Sequence, residues 1–164
     1  MKYRKIKFNG TEVHIERMVE SAGAHDERTD TLKSFDAPRP EFNDAMQAFA
    51  PSVRRLLELP GDYDLRVTGL SISYQAESGR RGLVITCQKK LADANAPLVF
   101  NTPHLPEKDI DDPNPSWPQE WYDLLDDLCE QATAYVDGKR EQQDLFEDEA
   151  NPVAWIADRI LART

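Results

Sequence analysis

Cysteine is scarce in this chain of 164 residues, and long apolar runs are absent. The two cysteines, Cys87 and Cys129, belong to no Cys-x-x-Cys pair of the kind that indicates zinc or redox chemistry. We expect both thiols to be reduced and buried. No stretch approaches the roughly 20 apolar residues that a membrane-spanning helix needs, and no apolar signal segment opens the sequence. We therefore expect a cytoplasmic protein that does not engage a membrane.

Basic residues are scarce in the C-terminal part. Residues 107–149 contain fifteen acidic residues and three basic ones, a net charge of −12, whereas the whole chain carries −10. Because nucleic-acid affinity depends on neutralising phosphates, we do not expect this part to bind DNA or RNA directly. Three interpretations stay open: a solvated face, a surface for a basic partner, or a mimic of DNA.

Recognisable catalytic and metal-binding motifs are also missing. The three histidines, His14, His25 and His104, have no paired spacing, and no Ser, Cys or Lys stands in a nucleophile motif. The acidic segment K-D-I-D-D-P-N-P lacks the glycine and the closing glutamate of a calcium loop. We therefore expect no metal, no cofactor and no enzymatic activity.

Alternation of apolar and polar residues predicts two β-hairpins. The first surrounds Asn9-Gly10, a strong hairpin signal because both residue types tolerate positive φ. The second turns at Ser78-Gly79, with a bulge expected at Gly69. A short fifth strand is predicted around Val99. The segments 21–39 and 102–118 are rich in turn-forming residues and predict irregular connections.

Apolar residues at helical spacing predict two long helices. The first stripe runs from Phe42 to Leu57, and Pro51 interrupts it, so we expect a kink or two abutting helices. The second begins near Pro118 and ends at Gly138, a residue type that favours the left-handed conformation after a helix. Asn151-Pro152 predicts the start of a short last helix.

Together these elements predict an α+β protein. We expect a mainly antiparallel sheet of four to five strands, with two long helices on one face and a short C-terminal helix. The predicted organisation is one domain over residues 1–138, a polar linker over 139–151 and the C-terminal helix over 152–164.

Two basic pairs, Arg80-Arg81 and Lys89-Lys90, lie near the second hairpin. With Tyr74 on the partner strand they form a candidate patch for single-stranded nucleic acid, which proteins bind through charge and base stacking. The simpler interpretation is that these charges keep a sheet edge from pairing with neighbouring molecules.

The polar linker carries one conspicuous apolar pair, Leu145-Phe146, inside the run E-Q-Q-D-L-F-E-D-E. Exposed apolar side chains gain nothing in water, so such a pair is expected to dock on its own protein or on another. The segment Gln142–Phe146 resembles the pentapeptide by which polymerases, repair proteins and initiation regulators attach to the bacterial sliding clamp. That motif runs Gln, any residue, Asp or Ser, Leu, Phe, and its four specified positions are met here by Gln142, Asp144, Leu145 and Phe146.

The resemblance implies how the segment would bind. In that family the Leu-Phe pair fills an apolar pocket of the clamp and the leading Gln is held by hydrogen bonds, so the segment is extended and accessible. The departure is Gln143, at a variable position that the family often fills with an apolar residue. A second interpretation stays open, in which Leu145 and Phe146 anchor the C-terminal segment to the domain. Acidic Glu141 and Glu149 would then share the helical face of Leu145, which weakens it.

The body of the chain is also similar to small uncharacterised proteins of phages and prophages, encoded among replication and recombination genes. The stretches G-L-V-I-T-C-Q-K-K-L and N-T-P-H-L-P carry this resemblance. It implies no particular site residues, and it places the protein in the cytoplasm of a bacterial host.

Three hypotheses of function follow. The first is a non-enzymatic phage-type adaptor or inhibitor that docks on the sliding clamp through Gln142–Phe146. Because single motifs bind weakly, a second contact is expected, with candidates on the last helix at Val153, Trp155 and Ile156. The second is an acidic decoy that imitates DNA and occupies a basic DNA-binding protein, such as a nuclease or a defence enzyme. The third is a single-strand-binding accessory protein that uses Arg80, Arg81, Lys89 and Lys90.

Overall fold

The computed structural model describes residues 2–19 and 27–140. In chain order these residues form β1 (Lys2–Phe8), β2 (Val13–Val19), β3 (Arg28–Ser34), α1 (Pro40–Gln47), α2 (Ala50–Leu56), β4 (Arg66–Tyr74), β5 (Arg81–Lys89), β6 (Leu98–Asn101), β7 (Leu105–Pro106) and α3 (Glu120–Val136). The predicted linker from residue 141 and the predicted C-terminal helix lie outside the described residues.

The strands form one antiparallel sheet in the order β3-β2-β1-β4-β5-β6, and β7 pairs with β5 beside β6. The predicted α+β class with a mainly antiparallel sheet is confirmed. The predicted count of four to five strands is wrong, because the described sheet has seven. The two additional strands, β3 and β7, lie in segments that were expected to be irregular.

Strand β3 lies within residues 21–39, which the sequence predicts as a loop. Its residues R-T-D-T-L-K-S include a single large apolar side chain, Leu32, so no alternation marks the strand in the sequence. It nevertheless pairs with β2 along its whole length, from Val13 opposite Ser34 to Val19 opposite Arg28. Pairing with a neighbouring strand therefore overrides weak local propensity.

Both predicted hairpins are confirmed. In the first, the Asn9 side-chain oxygen accepts hydrogen bonds from the backbone N–H groups of Thr11 and Glu12, both at 2.9 Å. In the second, the register between β4 and β5 shifts between Val67 and Gly69, where a bulge was expected. The predicted fifth strand around Val99 is β6.

Strands β6 and β7 share one edge of β5. β6 pairs with residues 86–89, and β7 pairs with Gly82 and Leu83. Between them, the Thr102 N–H donates to the Ile85 oxygen at 2.9 Å, and the Thr102 hydroxyl accepts from the Ile85 N–H at 2.9 Å. A side chain thus continues the ladder across the gap between two short strands.

The helical layer differs in part from the prediction. The interruption expected at Pro51 is confirmed, since α1 and α2 are two abutting helices of eight and seven residues. The expectation of two long helices is therefore wrong for the first one. Helix α3, of 17 residues, is the long helix of the described chain, and Gly138 follows it with a φ of 96° as expected. None of the described helices is long and apolar enough to cross a membrane.

The helices cover one face of the sheet and enclose the core there. Trp121 of α3 is fully buried and donates from Nε1 to the Ser52 hydroxyl of α2 at 2.7 Å. Buried apolar residues of the inner strands lie against this layer, including Ile6, Ile15, Leu70 and Ile85. No helix of the described residues covers the opposite face of the sheet, which we call the open face.

Candidate functional site

The two described histidines each lie against a polar side chain. The His14 Nε2 lies 2.8 Å from the Glu16 carboxylate on the open face of the sheet. The His104 Nε2 lies 3.0 Å from the Ser73 hydroxyl, and its ring covers Gly82 so closely that a Cβ there would overlap it. Over residues 2–19 and 27–140, no group of three His, Cys, Asp or Glu residues is arranged to hold a metal ion. His25 lies outside these residues.

Both cysteines are free, as expected. Cys87 is fully buried, and burial raises the pKa of its thiol to about 12. Cys129 is half-buried, whereas full burial was expected. Its partial burial, and to a smaller extent the negative charge of the nearby Asp126, raise the pKa of its thiol to about 11. Reactive cysteines have lowered pKa values, so neither thiol is suited to act as a nucleophile.

Arg80 and Arg81, the first predicted basic pair, are bound by acidic partners. The Arg81 guanidinium donates to the Glu107 carboxylate from Nε at 3.0 Å and from Nη2 at 2.9 Å. Arg80 donates from Nε to the Glu107 backbone oxygen at 2.8 Å and from Nη1 to Asp112 at 3.0 Å. Trp117 lies beneath Arg81, with the guanidinium carbon 5.0 Å from the ring centroid. We call these five residues the arginine clasp.

The acidic side chains of the clasp are held ionised. Side-chain hydrogen bonds from Arg81 lower the pKa of Glu107 below its usual value. The backbone N–H of Asn114 and then Arg80 lower the pKa of Asp112. Both arginines therefore pin the proline-rich connection to the start of β5, which leaves little of their charge for a nucleic acid. The sequence gives one signal of this arrangement, an isolated Trp in an acidic, proline-rich segment.

Lys89 and Lys90, the second basic pair, lie at the other end of β5. The eight residue steps from Arg81 to Lys89 span about 27 Å in an extended strand, so the structure does not bring the four residues together. Lys89 extends over the Tyr63 ring, 5.3 Å from its centroid, and Lys90 is exposed. Tyr74 faces the helical side, where its hydroxyl donates to the Tyr3 oxygen at 2.7 Å, so it offers no stacking platform beside the lysines.

One surface of the helical layer is strongly acidic. Helices α1 and α3 contain no basic residue, and all of their acidic side chains are exposed: Glu41, Asp44, Glu120, Asp123, Asp126, Asp127 and Glu130. Of these, Glu120 forms an ion pair with Arg55 of α2. A groove between the two helices is lined by Ala45 and Ala48 together with Glu41, Asp44, Asp127 and Glu130. We call this surface the acidic helix face.

The open face of the sheet is polar and weakly basic. One row of paired residues crosses six strands, in the order Lys33, His14, Lys7, Gly69, Thr86 and Asn101. The Lys7 side chain lies across Gly69, where an added Cβ would approach its Cγ to 2.7 Å. The neighbouring Lys5 is 3.6 Å from Glu16, so part of the positive charge is paired.

The described chain ends in a fixed anchor. The Lys139 N–H donates to the Ala134 oxygen at 2.9 Å, which closes the end of α3. The Arg140 guanidinium lies 4.2 Å from the centroid of the Tyr135 ring and 2.7 Å from the Asp36 carboxylate, just after β3. The clamp-like segment Gln142–Phe146 and the candidate second contacts, Val153, Trp155 and Ile156, lie outside the described residues.

Comparisons with known proteins identify no relative. No family model matches the chain, and no curated protein or solved structure matches it.

Proposed function

We propose that the protein is a non-enzymatic, phage-type adaptor or inhibitor that docks on the sliding clamp of its bacterial host through Gln142–Phe146. The observation that carries the proposal is the pentapeptide Q-Q-D-L-F, whose four specified positions are all met. By occupying the apolar pocket of the clamp, the protein would recruit another factor to replicating DNA or exclude host proteins that use the same pocket. The protein would act in the host cytoplasm.

The Arg140 anchor supports this proposal. Arg140 is held by Asp36 and Tyr135, and the pentapeptide begins two residues later. A motif close to a fixed point is tethered to the domain by a short connection, so whatever the domain carries stays near the clamp. Short tethers give a high effective concentration of any second contact, for which Val153, Trp155 and Ile156 are the proposed residues.

Calorimetry with a purified bacterial sliding clamp at low and high salt tests the proposal. We expect binding that survives added salt, because Leu-Phe insertion buries apolar surface, and that is lost in the double variant Leu145→Ala, Phe146→Ala. Phe35→Ala is the matched control, since Phe35 is an exposed aromatic residue on the described fold. Equal binding by the double variant would contradict docking through this segment, and absence of binding by the unmodified protein would contradict the proposal itself.

The second contact has its own test. In the same calorimetry, Trp155→Ala is expected to weaken clamp binding several-fold without abolishing it, because the pentapeptide remains intact. Unchanged affinity would remove the last helix from the interface and leave the pentapeptide as the whole contact.

The acidic helix face favours a second candidate function, that of a DNA-mimicking decoy. Seven carboxylates lie on α1 and α3, and Arg55 of α2 is paired with one of them, Glu120. The other six form a field that attracts a basic surface over distances comparable with the Debye length. The partner would be a DNA-binding protein such as a nuclease or a defence enzyme. Association of this kind is strongly salt-dependent, whereas docking by Leu145 and Phe146 should be much less so.

Displacement of a labelled DNA duplex from a basic bacterial nuclease tests the decoy. We expect the protein to displace the duplex at low salt and the quadruple variant Asp123→Asn, Asp126→Asn, Asp127→Asn, Glu130→Gln to lose this ability. The matched control neutralises four exposed acids elsewhere, at Asp62, Asp64, Glu77 and Asp93. Equal loss in both variants would assign the effect to net charge alone, and no displacement by the unmodified protein would contradict the decoy for this class of target.

A further inference from the structure

Strand β6 is an edge strand that exposes an apolar side chain on each face of the sheet. Leu98 is 46% exposed and Val99 is 55% exposed. Leu98 is two residues from Phe100, which pairs with the buried Cys87, so it lies on the helical side. Val99 pairs with Gln88 and lies on the open side, because consecutive residues of a strand point to opposite faces. Burying both side chains therefore requires apolar cover on both faces at once.

The outer backbone edge of β6 is also available. Among the described strands, β6 has β5 as its neighbour and ends the sheet. An extended chain can add to such an edge, with backbone hydrogen bonds providing affinity and alternate side chains providing specificity. A single added strand with two adjacent apolar residues would cover Leu98 on one face and Val99 on the other.

A cavity lies beside the connection that leads into β6. It has a volume of about 420 Å³, and its lining includes Lys90 and Asp64. Arg66 also lines it, but the Arg66 guanidinium lies over the Phe8 ring, on the side of β1. Leu91 and Pro97 add apolar surface, and Leu91 is 37% exposed. A strand that runs antiparallel to β6 would continue past Leu98 beside the β5–β6 connection, which begins with the exposed Lys90. A negative charge after the apolar pair would suit this lysine.

The sequence of the protein itself contains a segment with this pattern. In E-Q-Q-D-L-F-E-D-E an adjacent apolar pair is followed by three acidic residues. With Leu145 opposite Val99 and Phe146 opposite Leu98, residues 147–149 would lie on the side of Lys90. We propose that residues 141–149 of a second copy of the chain bind as an added antiparallel strand on the outer edge of β6.

The position of the Arg140 anchor favours a second copy over the same copy. Arg140 is held beside the end of β3, and β6 is at the opposite edge of the sheet. Five strand spacings separate β3 from β6, about 24 Å, and the added strand would lie about 5 Å further out. Six fully extended residues from Arg140 to Phe146 span at most about 21 Å. A segment from another molecule has no such limit.

This self-association does not depend on clamp binding, although the two would compete for Leu145 and Phe146 if both occur. Molecules joined through β6 would have their clamp motif covered, and a clamp would release them. The experiments below contain no clamp, so their failure is distinguishable from failure of the proposed function.

Sedimentation equilibrium of the full chain over a range of concentrations tests the proposal. We expect the average mass to rise above that of the monomer with concentration. The variants Val99→Lys and Leu145→Ala with Phe146→Ala should each weaken association at least about tenfold, the equivalent of about 1.4 kcal/mol. Ile110→Lys is the matched control, since Ile110 is 95% exposed and lies away from β6. Equal weakening by this control would overturn the assignment to β6.

A peptide of residues 140–150 gives a second, independent measurement. Fluorescence anisotropy should show binding to the full-length Leu145→Ala, Phe146→Ala protein, whose β6 edge is vacant, and loss of binding when Val99→Lys is added. A peptide with both apolar residues replaced by Ala should not bind. A monomeric protein whose double variant does not bind the peptide would overturn the proposal. The unmodified protein could instead be monomeric and fail to bind the peptide while the double variant binds it. That result would contradict binding by a second copy and would mean that residues 141–149 of the same molecule occupy the β6 edge.

Discussion

The two ends of strand β5 each carry a pair of basic residues, and their surroundings differ completely. At the first end, Arg80 and Arg81 are bound by Glu107 and Asp112 and packed on Trp117. At the other end, Lys89 extends over the Tyr63 ring and Lys90 is exposed. The same strand therefore uses positive charge in two ways, once inside the fold and once on an accessible surface.

This difference shows that a basic pair has no fixed meaning in a sequence. The arginine clasp forms because an acidic segment more than twenty residues further along the chain folds back onto β5. No comparable acidic segment covers Lys90 among the described residues, where Asp64 is the acidic member of the cavity lining. The packing partner decides whether a charged residue stabilises the fold or remains available to a ligand.

Replacing Trp117 should lower the stability of the protein more than any other substitution at the two ends of β5. Trp117 is 4% exposed, carries Arg81 on its ring and donates from Nε1 to the Leu105 oxygen at 2.7 Å. We expect Trp117→Ala to lower the free energy of unfolding by about 3–5 kcal/mol, because it leaves a cavity and removes a buried hydrogen bond. Urea denaturation measures the change. Tyr63→Ala, at the Lys89 end, should cost clearly less, and an equal loss would contradict the special role of the clasp.

Removing one basic residue from each end should have a moderate effect. Arg81→Ala is expected to lower the free energy of unfolding by about 1–2 kcal/mol, because Glu107 loses a charged two-point partner. Lys90→Ala should change it by less than about 0.5 kcal/mol, as is usual for exposed positions. Matched urea denaturation curves give both values. Similar losses at both positions would show that the two ends are not distinct in stability.

The smallest expected effect depends on pH. The pKa of Glu107 is lowered in the folded protein, so its ion pair stabilises the fold above the unfolded-state pKa of about 4.3 and is lost as the pH falls through the lowered value. The deficit of Glu107→Gln relative to the unmodified protein should be about 0.5–1 kcal/mol near neutral pH and should shrink towards pH 3. Urea denaturation at several pH values measures it. Asp93→Asn, an exposed control, should show no such trend, and a constant Glu107→Gln deficit would exclude ionisation as its cause.

Most of the fold could be predicted from local patterns. Asn9-Gly10, the alternating residues of β4 and β5, and the apolar stripe of α3 each identify their own structure. Strand β3 could not be predicted in this way, because it forms through pairing with β2 and its own residues are mostly polar. Strand β7 could not be predicted either, since its two residues, one of them a proline, become a strand only through their contact with β5.

The surfaces were harder to predict than the fold. The acidic composition of α3 was visible in the sequence, and α1 adds Glu41 and Asp44 to it only because the two helices lie side by side. The strand around Val99 was predicted, whereas its place at the end of the sheet depends on strand order. Local patterns identify an element, and long-range pairing decides which of its atoms are left exposed.

The anchoring of Arg140 beside β3 has a consequence for how such a protein would respond to its own abundance. The segment after Arg140 starts at the β3 edge of the sheet and would bind at the β6 edge, which it reaches on a second molecule but not on its own. The fraction of β6 edges that are occupied would therefore rise with the concentration of the protein. At low copy number the segment would stay open to other partners, and accumulation would withdraw it. The short connection between Arg140 and Phe146 would thereby set a protein concentration above which self-association covers Leu145 and Phe146.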